Sequence, residues 1–302
     1  MEITITGGAG FVGSHLANEL IDREGVSVTV ADLHPESPAN PLKEDIDRKN
    51  IDVTDPETID FEGTDAVVHL VAITPLNSSE RIHQEIHVEG TRNIVRAAEN
   101  AGVERFVHMS ALGADSEGDT SYIRAKGRAE KFVESSDMDW SVFRPSVIFG
   151  PGDELVSGMM GSAGRTSLVP LPSQVPMLQP LYVKDVASMM SDAALGEVEP
   201  GQRFELGGPE VMDLKEMTAQ VYRASGVEPW FISIPMPAVF LGLALLQVLP
   251  FTSYGLDQYR FLRADNVVGE NDIDKFGLDS KDLTSLAGFL DSWEEGRGVQ
   301  NE

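Results

Sequence analysis

The chain has 302 residues, no cysteine, and 49 acidic against 23 basic side chains, for a formal net charge of −26. Disulfides and thiolate metal sites are excluded, and the basic surface that a nucleic-acid partner requires is missing. The acids are spread along the whole chain, so they repel one another in dilute buffer and are tolerated where salt shrinks the Debye length to about 3 Å near 1 M, which reads as adaptation to a salty cytoplasm. No apolar run reaches the roughly 18 residues of a spanning helix, and no signal peptide precedes the first strand. A cytoplasmic protein is expected, peripheral to the membrane at most.

The first residues read as a β-strand that runs into Gly7-Gly-Ala-Gly-Phe-Val-Gly13. A helix follows, because Phe11, Val12, Leu16, Leu20 and Ile21 recur at helical spacing. Gly7 lets the chain turn off the strand, Gly10 lets backbone approach a pyrophosphate, and Gly13 lets the helix pack closely. The open N–H groups of that helix then face the phosphates. A second strand over 26–31 ends in Asp32, where a carboxylate accepts hydrogen bonds from an adenosine ribose and repels a 2′-phosphate. NAD(H) is therefore expected over NADP(H).

Residues 34–43 carry three prolines and read as a surface loop. A short third strand is expected within 46–53, ending at Asp52-Val53. The apolar run over 64–72, which contains Val71 and Ala72, suits a strand buried on both faces. One long helix is expected over 79–100, stopped by Gly102. A strand over 103–110, a polar loop, a helix over 121–135 and a strand over 140–144 closed by Pro145 follow. This alternation predicts an α/β chain with a Rossmann doubly wound parallel sheet and a ligand crevice at the carboxyl ends of the strands.

Beyond Gly150 the chain turns rich in Gly, Pro, Ser and Met, and 150–180 reads as irregular. Helices are expected over 184–195, 213–225, 238–248 and 283–294, which makes a smaller, mostly helical C-terminal lobe. The expected division is 1–150 with 178–205 for the cofactor, and 151–177 with 206–302 for a substrate or partner. Asp213 suits an N-cap, with Glu216 at capping-box spacing. Residues 238–249 are apolar nearly all round, yet their helix of about 18 Å is too short for a bilayer of about 30 Å. They read either as a buried helix or as a docking surface for a membrane, a quinone or a partner subunit.

Tyr122 and Lys126 stand four apart on one helix face, a spacing that suits redox chemistry at an alcohol or carbonyl. An adjacent ammonium favours the phenolate, and the tyrosine can pass a proton as general acid or base. His83 and His87 also stand four apart, but no third ligand sits at matching spacing, so no metal is expected.

Taken together, Thr6-Gly-Gly-Ala-Gly-Phe-Val-Gly13, Asp52-Val53, Val67-Val-His-Leu, Tyr122/Lys126 and Arg144-Pro-Ser-Val-Ile-Phe-Gly-Pro151 resemble an extended short-chain dehydrogenase/reductase. His87-Val-Glu-Gly-Thr-Arg-Asn93, Leu181-Tyr-Val-Lys-Asp-Val-Ala187 and Glu205-Leu-Gly-Gly-Pro-Glu210 resemble an atypical subgroup. It comprises the nucleotide-binding accessory subunit of respiratory complex I and its free-standing microbial relatives. The resemblance implies a cofactor site of Gly7, Gly10, Phe11, Val12, Gly13, Asp32, Asp52, Val53, Val71, Ala72, Tyr122, Lys126 and Pro145, and it keeps NADP(H) open. The catalytic set it implies is Tyr122, Lys126 and Ser110.

Two departures stand out. Ala111 occupies the place of a usual Ser or Thr, and His87 that of a usual asparagine. Ser110 is one position away, but side chains alternate along a strand, so it is expected to face away from the site. The leading expectation is an NAD(P)-dependent oxidoreductase acting on a small carbonyl or alcohol. The alternatives are a non-catalytic cofactor-binding subunit or assembly factor of a respiratory complex, and a sugar-nucleotide epimerase. If the acid surplus is a salt adaptation, the melting temperature rises between about 0.1 and about 2 M KCl, and a flat melting curve series refutes it.

Overall fold

The computed structural model describes residues 1–74, 79–247 and 256–300. Six strands, β1 (Glu2–Thr6), β2 (Ser27–Asp32), β3 (Asp47–Asn50), β4 (Ala66–His69), β5 (Arg105–Met109) and β6 (Asp139–Pro145), join Gln202–Leu206 in one sheet. Its order is Gln202–Leu206, β6, β5, β4, β1, β2, β3, and every neighbouring pair is parallel. Strand order therefore reverses between β1 and β4, which opens a crevice at their carboxyl ends.

Both faces of the sheet are buried, as parallel pairing demands. Helix α1 (Phe11–Leu20) and the helix Val183–Leu195 cover one face, where Ile3, Ile5, Val68 and Val107 meet Leu16, Leu20 and Met189. Three further helices are α2 (Glu80–His83), α3 (Thr91–Ala101) and α4 (Ser121–Glu134). The other face packs Val67, Phe106 and Val142 against Ile94 and Val95 of α3 and Val133 of α4. Gly102 closes α3 in the left-handed conformation, as its position predicts.

The expected single helix over 79–100 is present as one helical run over 80–101, but its middle is wound differently. A π-helical stretch, Gln84–Gly90, separates α2 from α3 and turns His87, Val88 and Gly90 inward. The third strand stops at Asn50, short of Asp52-Val53, after which Ile51 N–H makes the last bond to β2 at Asp32 O. The expectation of irregular structure over 150–180 is also corrected. A helix, Leu155–Ala163, and a strand, Leu168–Pro172, lie there. Two glycines inside that helix and two prolines inside that strand hid them. The prolines are tolerated because the strand pairs only with Trp230–Ile234, in a two-stranded sheet that is all edge.

The smaller lobe also holds the helices Leu214–Ala224, Met236–Gln247, Leu256–Phe261 and Leu286–Gln300. Asp213 caps the first of these by accepting from Glu216 N–H at 2.7 Å. Of the apolar stretch 238–249, residues 248 and 249 lie outside the described residues. Among the described residues, no helix is long and apolar enough to cross a membrane.

Helix α4 is fastened to β6 by an ion pair inside the fold. Arg144 donates to Glu130 Oε1 at 2.9 Å and Oε2 at 2.6 Å, and also to the Ala114 carbonyl at 3.1 Å. Glu130 is 2 % exposed, so removing its partner strands a charge in low dielectric. Arg144→Leu is expected to lower unfolding free energy by roughly 3–5 kcal/mol in chemical denaturation, with Glu130→Gln added to it restoring part of the loss.

Candidate functional site

The glycine-rich turn forms one wall of the crevice. Gly7 has φ 76°, and a Cβ on it would stand 2.8 Å from Val71 N, inside contact distance of the chain leaving β4. A Cβ on Gly13 would come within 2.4 Å of Gly7 O, so the start of α1 lies directly against the turn. The N-cap Gly10 brings no side-chain cap and the first turn holds no acid, which leaves its N–H groups for an anion. A cleft of about 640 Å³ runs from here past Phe11, Val12, Asp32, Asp52 and Val53 to Val71 and Ala72. These features fit a dinucleotide, since phosphates need bare backbone N–H groups that no Cβ screens. Asp32 accepts from Ala9 N–H at 3.2 Å and from His34 N–H at 3.1 Å, which fixes its carboxylate at the mouth of the cleft.

Next to this cleft, α4 carries Tyr122 and Lys126. Thr120 caps the helix through Ile123 N–H, and Asp257, from the distant lobe, accepts from both Ser121 N–H at 2.9 Å and Ser121 Oγ–H at 2.6 Å. Tyr122 and Pro145 line a second cleft, of about 530 Å³, while Met109 lines the first. Lys126 is 2 % exposed and donates to the Met109 carbonyl at 2.9 Å, so the pair spans the partition between the two clefts. Burial pushes the Tyr122 phenol up to about 12 and the Lys126 ammonium down to about 8. The expectation of a lysine-lowered phenolate is therefore corrected: desolvation outweighs the ammonium, and the tyrosine is a neutral donor at pH 7.

Four buried histidines surround this pair. His83 and His87 stack with centroids 5.4 Å apart, and both stand edge-on to Tyr122, at 5.6 and 5.4 Å. On the sheet, His69 and His108 are register partners on β4 and β5, with rings stacked at 5.4 Å. His69 bridges Thr6 Oγ1 at 2.6 Å and Thr91 Oγ1 at 3.0 Å, tying the end of β1 to α3. Among the described residues, no ring nitrogen of His87 or His108 has a partner of hydrogen-bonding geometry. The carbonyls of Ile73 and His69 offset their burial only in part.

Residues 7–156 match a family model described as NAD(P)H-binding. That stretch is an NAD(P)-binding Rossmann domain, and the chain fits an atypical extended short-chain dehydrogenase/reductase. A ceramide reductase of Caulobacter vibrioides is 26% identical to this chain over 255 residues, covering 81% of this chain and 77% of that protein. The mitochondrial NADH dehydrogenase [ubiquinone] 1 alpha subcomplex subunit 9 of Arabidopsis thaliana is 24% identical over 286 residues, covering 89% and 71%. In fold, the chain is similar to a UDP-glucose 4-epimerase from Thermus thermophilus solved with NAD, at TM-score 0.70 and 21% identity over 96% of each chain.

Within this dehydrogenase/reductase fold, Ala111 lines the second cleft and brings no hydroxyl to it. The Ser110 Oγ is buried, has no hydrogen-bond partner among the described residues and does not line that cleft. His87 sits against Tyr122, where the alternation of helix types has turned it inward. Sequence reading did not find the row Thr6, His69, His108, because three separate strands contribute it and only register brings it together. Nor could spacing reveal Asp257, which acts on a residue 136 positions earlier.

The histidines give the fold an acid limit. His69 is lowered to about 3 by burial and then by the Lys126 charge, and the same causes hold His87 and His108 well below 6.5. The unfolded chain takes up these protons near pH 6.5 and the folded chain does not. Stability is thus complete above about 6.5 and is lost as pH falls towards about 3, by up to about 1.4 kcal/mol per pH unit for each histidine. Urea midpoints at pH 7 and pH 5 in molar KCl check this, with His108→Leu flattening the dependence.

Proposed function

We propose that the protein is an NAD(P)-dependent oxidoreductase that reduces a small carbonyl, or oxidises the matching alcohol, with Tyr122 as the proton-transferring group. The observation that carries this reading is the partition: Tyr122 faces one cleft while Lys126, one turn later, is bonded to the carbonyl of Met109, which lines the other. A bound nicotinamide supplies hydride chemistry. The chain itself must hold the substrate oxygen, exclude water and provide a proton. A neutral Tyr122 donates its hydroxyl proton to an oxygen that gains negative charge, which favours the reductive direction. The Lys126 ammonium then stabilises the phenolate left behind. Ser110 stays outside this machinery, and Ala111 leaves Tyr122 without a hydroxyl neighbour there. In this reading 1–150 with 178–205 hold the cofactor, and 151–177 with 206–302 form the substrate or partner side.

The second cleft suits an uncharged or lipophilic substrate better than a sugar nucleotide. Asp115, Glu117, Asp119 and Asp265 line it, and its Arg260 is paired with Asp257 at 2.8 Å. A diphosphate would meet acids at that mouth, which argues against the epimerase reading despite the shared fold. The non-catalytic reading, a cofactor-binding subunit or assembly factor of a respiratory complex, is favoured by Ala111 and His87 and by the similarity to subunit 9. Contact through 238–249 with such a complex, a quinone or a membrane belongs to either reading.

The assignment is tested by a ketone and aldehyde panel with NADH. Tyr122→Phe is expected to lower turnover by about 10²–10⁴ and to leave NADH affinity nearly unchanged, while Lys126→Met damages both. No hydride transfer to any member, from wild type or from Ala111→Ser, decides for the binding subunit. Cofactor choice is read by titration. The Asp32 carboxylate repels a 2′-phosphate, so NADH is expected to bind more tightly than NADPH, and the reverse order overturns that role.

A further inference from the structure

Residues 229–256 hold no charged side chain, in a chain whose net charge is −26. Extending to residue 263 adds Asp257, Arg260 and Arg263, so this stretch carries +1 and the rest of the chain −27. The strand Trp230–Ile234 pairs with Leu168–Pro172, setting Trp230 beside Leu168 and Ile232 beside Pro170. Their outer face is in water: Trp230 is 72 % exposed, Leu168 51 % and Ile232 50 %. The following helix, Met236–Gln247, shows Phe240, Leu241 and Leu245 on its open side, the two leucines at 60 %. Exposed apolar residues gathered in this way mark an interaction site.

Charge and shape say what covers it. An exposed cation borders the face: the Arg263 guanidinium stands 5.6 Å from the ring centre of Tyr259, whose ring in turn meets Phe240. Of the acids nearest in sequence, Glu228 is held by Arg223 at 2.9 Å and Asp257 by Arg260 at 2.8 Å. An apolar centre with an exposed tryptophan and an arginine on a flexible stem beside it, in a stretch free of the acids that fill the rest of the chain, matches the layering of a bilayer surface, where headgroups meet the polar groups and acyl chains the centre. A helix of about 18 Å lies along such a surface and does not span it. A second copy would bring another body of −27 alongside this one, a repulsion that an uncharged bilayer surface does not add.

We propose that the face formed by Leu168, Trp230, Ile232, Phe240, Leu241 and Leu245 docks on a lipid bilayer, with the helix Met236–Gln247 lying in the interfacial plane. An apolar cleft of about 750 Å³, lined by Leu155, Met159, Val169 and Tyr222, has Leu168 on its wall and so opens at this face. Phe261 lines both that cleft and the one that Tyr122 lines, so the two are neighbours. Because the body is strongly acidic, salt strengthens this attachment by screening repulsion from the surface. Ordinary electrostatic docking has the opposite dependence. The docking does not depend on turnover at Tyr122, so its failure leaves the oxidoreductase reading standing.

The test is flotation of the full chain with phosphatidylcholine vesicles, with and without phosphatidylglycerol, at about 0.1 and about 2 M KCl. The protein is expected to float with the vesicles, more at high salt. A Trp230→Ser/Leu241→Ser/Leu245→Ser variant should lose about tenfold in partition while keeping its melting temperature and NADH affinity, since all three side chains are exposed. Brominated lipid should quench Trp230, read against a Trp230→Phe control. Absence of flotation at both salts, or flotation that the triple variant retains, overturns the proposal. So does a stable dimer by sedimentation that the triple variant dissolves and vesicles do not compete with.

Discussion

Lys126 carries its ammonium into the interior, against the Met109 carbonyl, and the surrounding chemistry is arranged to make that charge tolerable. Glu130, one turn further along α4, raises its affinity for a proton, and Arg144 in turn satisfies Glu130. On the other side the charge meets imidazoles that stay neutral, because burial disfavours their charged form and the Lys126 ammonium repels a second cation. The proton on Lys126 and the absence of protons on His69, His87 and His108 are therefore one condition seen from two sides. The same burial keeps Tyr122 protonated.

This condition also shapes the two clefts. The polar row along the carboxyl ends of β1, β4 and β5 lies behind the cofactor cleft, and His69 ties it to Thr91 at the start of α3. The π-helical stretch brings His87 to the row's outer end, against Tyr122. A lone glutamine or asparagine at either place would demand hydrogen bonds that the surroundings do not offer. Imidazole asks for less and fills more volume, and that suits the dry space between clefts.

The glycine turn, Asp32 and the Tyr122/Lys126 helix were legible because their chemistry is local: a turn, a strand end and a four-residue spacing. Val71, Ala72, Asp52 and Val53 were legible through the alternation of strands, which places strand ends at the crevice. The state of Tyr122 was not, since spacing shows a nearby ammonium and hides the depth at which both lie. The π-helical winding at 84–90 has no residue signature beyond a glycine, and the lobe strand Leu168–Pro172 is disguised by prolines that only an edge permits. Asp257 and the His69–His108 pair depend on contacts across distant sequence, which no local pattern records.

The order of strands bears on how the molecule is made. The sheet's far edge, Gln202–Leu206, emerges after the chain has left the sheet to build part of the lobe, and it pairs with β6 only on its return. Asp257, which holds the first turn of α4, emerges later still. At a synthesis rate of about 5–20 residues per second, the glycine turn precedes the residue that fixes the first turn of α4 by roughly 10–50 s. During that interval the nascent half-sheet exposes the open side of β6 as a pairing edge, and the surplus of acidic side chains along the chain holds neighbouring copies apart until the edge is closed.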